Sequence, residues 1–510
     1  MQWLDKVVDE VIAAHPEGEI LVSSGVSPSG VYHVGTLREV LTADAILLAL
    51  RRRGRDARHI HVVDDLDPLR KIPAGVDDSF EKYMGMSLCD VPAPDGKSGS
   101  SWADYYFKDF AKSVKKLGLD MEIMRSHKKY RAGFFVPAIE VVLSKIDKAR
   151  DVLISVSGRQ LDENWSPIQI KEDDYLKSRR FMGVDTLRKV VMYQDKDGRE
   201  KEAGYARGDV KLYWRLDWPA RWWLLGVDVE PFGRDHATKG GSYDTGVALM
   251  KSVFKDKPPL PVPYNFINRT GQTKKMSKSS GDTLAISDML QILPPEVLRY
   301  FVLRYSPDKT LFFDENDGLI KLFDDFAALL AKLDKTADDE QLIRISLGNI
   351  AESTISNIPF SHLVASYQAA LKDPANTLEI IRRTEHKETV DAQEETIKKE
   401  LKFIDQWLKD WAPDDIKFEL APKPPKLISE PEREYLLALA KKIEAAPADA
   451  DGEWFHKAIY EFKDSSSLAP KQLFGTLYQV LIGQESGPRA GWFLSILPRD
   501  WLLKRLRLEA

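Results

Sequence analysis

Two segments of this chain carry residue types suited to gripping a nucleotide. One is Lys275-Met276-Ser277-Lys278-Ser279, flanked by Gly271-Gln-Thr-Lys274 and Ser280-Gly-Asp282. Two ammonium groups and two hydroxyls on a polar loop suit the charge of a triphosphate, and such a loop suits closure over a bound substrate. The other lies far upstream, Ser27-Pro28-Ser29-Gly30-Val31-Tyr32-His33-Val34-Gly35-Thr36. Gly30 and Gly35 remove side chains that would hold a nucleotide off the backbone. His33 and Thr36 stand one helical turn apart, so both reach one phosphate, and a helix starting there adds partly positive N–H groups. Each segment has an ordinary alternative: a solvated lysine loop, and a Pro/Gly turn with a hydrogen-bonded histidine. Together they read as one ATP site built from distant stretches. Its binding residues are Pro28, Gly30, His33, Gly35, Thr36 and the five residues of the lysine loop. His33, Thr36, Lys275 and Lys278 are the catalytic candidates.

The elements that must position these residues follow a nucleotide-fold pattern. Ile20-Leu-Val-Ser-Ser24 is a short apolar run stopping at Gly25, as a buried parallel strand does. Leu37, Val40, Leu41, Ala45, Leu48 and Ala49 recur at helical spacing before Gly54, and His59-Ile-His-Val-Val63 is a second strand closed by Asp64-Asp65. Strand, glycine turn, helix and strand make a βαβ unit, with ligands expected at the strands' carboxyl ends. Residues 90–210 loosen into Pro, Gly and Ser clusters, which predicts an insertion, with a hairpin turning at Asp197-Gly198. The sheet is expected to resume near residues 221–229 and 262–267. Helices follow residue 287, and a Pro-rich loop occupies residues 413–431.

At 510 residues and 43% hydrophobic composition the chain is long enough for about three packed domains. No apolar run approaches the roughly 20 residues of a membrane span, and residues 1–10 lack a signal-peptide layout. The single Cys89 excludes a disulfide framework and a multi-cysteine metal site, so a cytoplasmic protein without a membrane partner or resident metal is expected. A net charge of −5 confines any polyanion-binding surface to local patches.

The His33-Val-Gly-Thr36 and Lys275–Ser279 segments resemble the two signatures of class I aminoacyl-tRNA synthetases. More narrowly, the chain resembles class I lysyl-tRNA synthetases. Longer strings carry this: Ser24-Gly-Val-Ser-Pro-Ser-Gly30, Asp64-Asp-Leu-Asp-Pro-Leu-Arg-Lys-Ile-Pro-Ala-Gly75, Trp214-Arg-Leu-Asp-Trp-Pro-Ala-Arg221, Gly233-Arg-Asp-His-Ala-Thr-Lys-Gly-Gly-Ser242 and Leu481-Ile-Gly-Gln-Glu-Ser-Gly-Pro-Arg489. The resemblance implies an α/β Rossmann-type catalytic domain over residues 1–285, a stem-contact helical region over 286–345 and a helical anticodon-binding domain over 346–510. It implies activation of L-lysine with Mg²⁺·ATP and transfer of the lysyl group to the 3′-terminal ribose of tRNA(Lys). It also implies lysine contacts at Gly25, Ser27, Trp214 and His236; Ser27 stands where a threonine is more usual and keeps the hydroxyl.

A lysine pocket must replace the hydration of an ammonium with carboxylates or aromatic faces, and Asp64 and Asp217 are candidates for it. Trp214 and Trp218 could equally be core, His236 structural beside Asp235, and the aspartates ligands of the Mg²⁺ that ATP brings. Many relatives carry a Cys-rich zinc knuckle in the insertion; residues 150–210 contain neither Cys nor His, so no structural zinc is expected. Arg299, Arg304 and the basic strings at 398–402 and 504–507 are candidates for tRNA phosphates. Trp407, Trp411, Trp454, Phe455, Tyr478 and Trp492 are stacking faces or, more in keeping with their spacing, core.

The rival functions are a glutamate- or glutamine-specific synthetase of the same class, a cytidylyltransferase-like enzyme and a synthetase-like tRNA-binding regulator. Lys278→Ala is expected to lower tRNA charging by about two orders of magnitude. Charging at a near wild-type rate would remove the pyrophosphate-stabilising role from the loop.

Overall fold

The computed structural model describes residues 1–161, 165–270, 284–350, 353–425, 427–447, 450–463 and 466–509. The chain forms two compact units. One comprises Met1–Leu290, Leu298–Phe313 and Thr336–Ile350; the other comprises Gln291–Val297, Asp314–Lys335 and Ala351–Ala510.

The first unit opens with helix α1 (Gln2–Ala14), strand β1 (Ile20–Val26), helix α2 (Val34–Arg52) and strand β2 (Ala57–Val63). β1 and β2 pair in parallel from Ile20↔Ala57 to Val26↔Val63, so the expected βαβ unit is present. α2 buries 13 residues on nearly all sides, Arg38 and Asp44 among them, as a helix packed between a sheet and further chain does. Inside β2, His59 and His61 both bond the Ser24 hydroxyl, at 2.7 and 2.8 Å; burial draws both imidazoles down to about 3, so they sit neutral within the sheet.

Helix α3 (Trp102–Lys116) begins with a capping box formed by Ser101 and Asp104, and leads to strand β3 (Glu122–Arg125), which joins the sheet beside β2. β3 thus falls inside the loosely patterned 90–210 stretch. A four-residue edge strand with a single buried residue, Met124, carries too little alternation to stand out in sequence.

Beyond β3 come two antiparallel three-stranded sheets: β4 (Ile168–Glu172), β5 (Tyr175–Ser178) and β9 (Val210–Leu212), and β6 (Arg180–Asp185), β7 (Val190–Gln194) and β8 (Glu200–Gly204). The β7–β8 hairpin turns through Asp195–Arg199, with Gly198 at φ +80° supplying the left-handed position at the expected Asp-Gly turn. Val191, Tyr193 and Ala203 pack into the core, and Arg188 grips Glu202 with two hydrogen bonds at 2.9 and 2.5 Å.

The sheet was expected to resume at residue 221. Instead Trp214–Leu225 is a helix, closed by Gly226 at φ +68°. An apolar run such as Arg221-Trp-Trp-Leu-Leu is compatible with either a buried strand or a buried helix, and here the helix wins. β10 (Val229–Gly233) and β11 (Leu260–Tyr264) then complete a parallel sheet of order β11-β10-β1-β2-β3, while β12 (Ile267–Arg269) pairs with β13 (Leu311–Phe313). Strand order reverses between β1 and β10, which makes that seam the topological switch point where open α/β sheets bind ligands.

Arg299 is fully buried. It pairs with Asp44 of α2 at 2.6 Å and also donates to the carbonyls of Ile345, Ser346 and Leu117. The expected role for Arg299 at a tRNA phosphate is therefore corrected: its guanidinium is spent inside the first unit.

The described elements of the second unit are helices. Their core includes Tyr435, Leu436, Phe455, Leu477 and Phe493. Trp407, Phe455, Tyr478 and Arg505 are buried, whereas Trp411, Trp454 and Trp492 are half-buried. No described helix is long and apolar enough to cross a membrane. Asp44→Ala leaves the Arg299 charge buried without a counter-ion, and is expected to lower the stability of the first unit by about 3–5 kcal/mol, read from its urea transition.

Candidate active site

At the end of β1 the chain passes Gly25, where a Cβ would meet Val62 Cβ at 3.3 Å. It then turns through Ser27, Pro28 and Gly30 into α2, with Pro28 and Gly30 buried. His33 is the N-cap: its Nδ1 accepts the Gly35 N–H at 3.0 Å, which leaves Nε2 as the protonated nitrogen of the neutral ring. A Cβ on Gly35 would strike the imidazole at 2.7 Å, so glycine there is the condition for this cap.

The expected row of unpaired amides at the start of α2 is not what the structure shows. Val34 N–H donates to Leu284 O at 3.1 Å, Gly35 to His33 Nδ1, and Thr36 to His33 O at 2.8 Å. The side chains of His33 and Thr36, rather than these amides, are the donors this turn offers for the role expected of it. The Val34 bond also ties this turn to the chain beyond the lysine loop. His33 bridges Ala285, and Ile286 N–H donates to Tyr32 O at 3.1 Å, so the chain that follows the lysine loop is stitched to the His33 turn. Lys275, Met276, Ser277, Lys278 and Ser279 themselves lie outside the described residues.

A cleft opens at the switch point, between the ends of β1 and β10 and the helix Trp214–Leu225. Gly25, Ser27, Asp64, Trp214 and His236 line it; Asp217 does not. Trp214, Trp218 and His236 form an aromatic wall with ring centroids 5.5–5.6 Å apart. Asp64 and Asp217 already have cations. Arg221 bonds both carboxylates, and Lys211 Nζ lies 3.8 Å from each and 3.1 Å from Asp67. Burial works against the charge of Asp64, yet Arg221 and Lys211 hold its carboxyl below the usual range; burial and the nearby Asp64 raise Asp67.

Two carboxylates that the sequence pattern did not single out face the cleft without such partners. Glu230 on β10 is buried and accepts the indole N–H of Trp218 at 3.2 Å, that of Trp222, and the Ser23 hydroxyl at 3.4 Å. Burial raises its pKa. Glu39 on α2 accepts Gly25 N–H at 2.6 Å and the Tyr264 hydroxyl at 2.7 Å, and desolvation pushes it up to about 8. Among the described residues neither carboxylate has an ion-pair partner. The signal was present in sequence: Glu230 interrupts an otherwise apolar strand, and Glu39 follows Thr36 by three positions on the helix that carries it.

Known proteins give this geometry a family. A family model described as tRNA synthetases class I (K) matches residues 1–350, and one described as an anticodon binding domain matches residues 397–509. Lysine–tRNA ligase 1 of Methanosarcina acetivorans is 36% identical, covering 99% of this chain and 98% of its own length. The lysine–tRNA ligase of Archaeoglobus fulgidus is 33% identical over 99% of both chains, and that of Pyrococcus horikoshii is 32% identical over 100% of both. With the family model covering the parallel sheet, the His33 turn and the cleft, this chain belongs to the class I tRNA synthetases of the lysine type.

Proposed function

We propose that this chain is a lysine–tRNA ligase, acting on L-lysine, Mg²⁺·ATP and tRNA(Lys) in the cytoplasm. The observation that carries the lysine assignment is the switch-point cleft, which presents Glu39 and Glu230 to any cation that enters beside the wall of Trp214, Trp218 and His236. A lysine brings two ammonium groups, and each gains a desolvated carboxylate together with aromatic faces. Asp64 and Asp217 move from ligands to scaffold: their charge is committed to Arg221 and Lys211. Gly25 and Ser27 close the cleft from the β1 side.

In the proposed reaction the lysine carboxylate attacks the α-phosphorus of ATP, giving lysyl-adenylate and pyrophosphate. The terminal ribose hydroxyl of tRNA then attacks the adenylate carbonyl and AMP leaves. Pro28, Gly30 and Gly35 shape the turn that seats the nucleotide. His33, through Nε2–H, and Thr36 donate to phosphate oxygens. Lys275 and Lys278 stabilise the charge that builds on departing pyrophosphate, with Met276, Ser277 and Ser279 completing the loop. Positioning and preplaced charge account for the rate without a covalent enzyme intermediate. The domain plan of residues 1–285, 286–345 and 346–510 assigns catalysis, stem contact and anticodon binding in turn, and the insertion holds by packing and ion pairs without zinc.

Aminoacylation of total tRNA with labelled lysine, run against labelled glutamate, tests the assignment; charging with glutamate in place of lysine overturns it. Glu39 adds a pH signature. Below pH about 8 an incoming ammonium must displace the proton that burial keeps on this carboxyl. Lysine affinity is therefore expected to rise by up to about tenfold per pH unit toward pH 8 and then level off. Lysine-dependent ATP–pyrophosphate exchange with tRNA present measures this limb. Glu39→Gln should weaken lysine binding and flatten the profile, and an unchanged profile in that variant would show that Glu39 does not meet the substrate.

A further inference from the structure

In the second unit, His362 on the helix Phe360–Ala369 meets the pair Glu385 and His386 that precedes the helix Lys387–Asp410. One ligand atom from each of these three residues lies within 4.8 Å of the other two. The two imidazoles meet edge to face with centroids 4.8 Å apart, and the Trp492 ring backs His362 at 4.5 Å. His386 Nε2 lies 3.6 Å from Glu385 Oε1. His362 is only 7% exposed, yet its Nε2 has no hydrogen-bond partner. A buried ring nitrogen in that state has given up its hydration and received nothing from the protein in return.

We propose that His362, Glu385 and His386 form a binding site for one divalent transition-metal ion of the zinc type, with a fourth position left to water. The donor set selects the ion. Two imidazoles and one carboxylate suit Zn²⁺ and its first-row neighbours, whereas Mg²⁺ and Ca²⁺ take oxygen ligands, so the site is distinct from any Mg²⁺ carried by ATP.

The spacing needs little adjustment. Ligand atoms on a tetrahedral Zn²⁺ sit about 3.3 Å apart, given metal–ligand distances of about 2.0–2.1 Å. The Glu385–His386 pair is already at 3.6 Å, and the exposed Glu385 side chain is free to rotate as the imidazoles draw in. The unpartnered, buried Nε2 of His362 would gain a partner on ligating, while His386 is half-buried and Glu385 exposed, so the site can be reached from solvent. Trp492 supplies an apolar wall that turns the His362 ring and keeps solvent from its far side. A bound ion would staple the helix Phe360–Ala369 to the start of Lys387–Asp410, a helix interrupted at Gln393 by non-helical backbone angles.

The test uses the full chain, stripped of metal with a chelator and titrated with Co²⁺ in the absence of ATP. The expected result is one equivalent of a visible d–d band of tetrahedral type, displaced by Zn²⁺, together with a Zn²⁺-dependent rise in Tm. Glu385 is exposed and His386 half-buried; Glu385→Gln and His386→Asn should each weaken Co²⁺ binding at least about tenfold with unchanged circular dichroism. The buried His362→Phe should abolish the band, and the exposed Glu385→Gln keeps the test decisive if that variant fails to fold. No band in the wild-type chain, or an equal band in Glu385→Gln and His386→Asn, would overturn the proposal.

Discussion

Lys211 and Arg221 are buried cations held among Asp64, Asp67 and Asp217, and the walls of the cleft are hung on that lattice. Asp64 and Asp67 follow the end of β2, Lys211 lies on β9, and Asp217 and Arg221 share one face of the helix Trp214–Leu225. Removing any member would strand an opposite charge away from water, so the sheet, the insertion and the helix are locked in a single arrangement. β9, at the end of the inserted stretch, brings one of the two cations beneath the cleft.

This commitment also decides which acids remain for a ligand. Asp64 and Asp217 are spent on scaffold, while Glu39 and Glu230 receive only N–H and O–H donors. Such donors orient a carboxyl group without supplying a counter-ion, and burial raises the pKa of both. Arg70 lies 3.8 Å from Asp67, so the three scaffold carboxylates meet three cations and offer little charge to a ligand. Among the described residues lining the cleft the one guanidinium, Arg221, is already engaged, so a second carboxylate, as on a glutamate side chain, would meet no uncommitted cation there.

Much of this was legible in the sequence, and the exceptions have physical causes. The βαβ unit showed through because its apolar residues fall at strand and helix spacing and its glycines mark the turn. The His33 cap follows from a histidine two residues before a glycine that its ring needs. The helix at Trp214 was hidden because a short apolar run suits a strand equally well, and β3 because a short edge strand leaves almost no alternation. Charge pairing was the larger blind spot. Asp64 and Asp217 looked like ligands because acidic side chains show in a sequence, whereas the Arg221 and Lys211 that occupy them are assigned only by folding. Glu39 and Glu230 were passed over for the converse reason: a glutamate in an apolar strand is a local signal, but only folding brings it to the same cleft as one on a helix about 190 positions earlier.

The hydrogen bonds from Trp218 and Trp222 to Glu230 have an optical consequence. An indole N–H donating to a carboxylate feels that charge along its excited-state dipole, and these are two of the chain's 12 tryptophans. Any cation that settles against Glu230 alters the local potential at both rings at once. The cleft therefore contains its own chromophores, and its occupancy is written into the protein's intrinsic emission without a label.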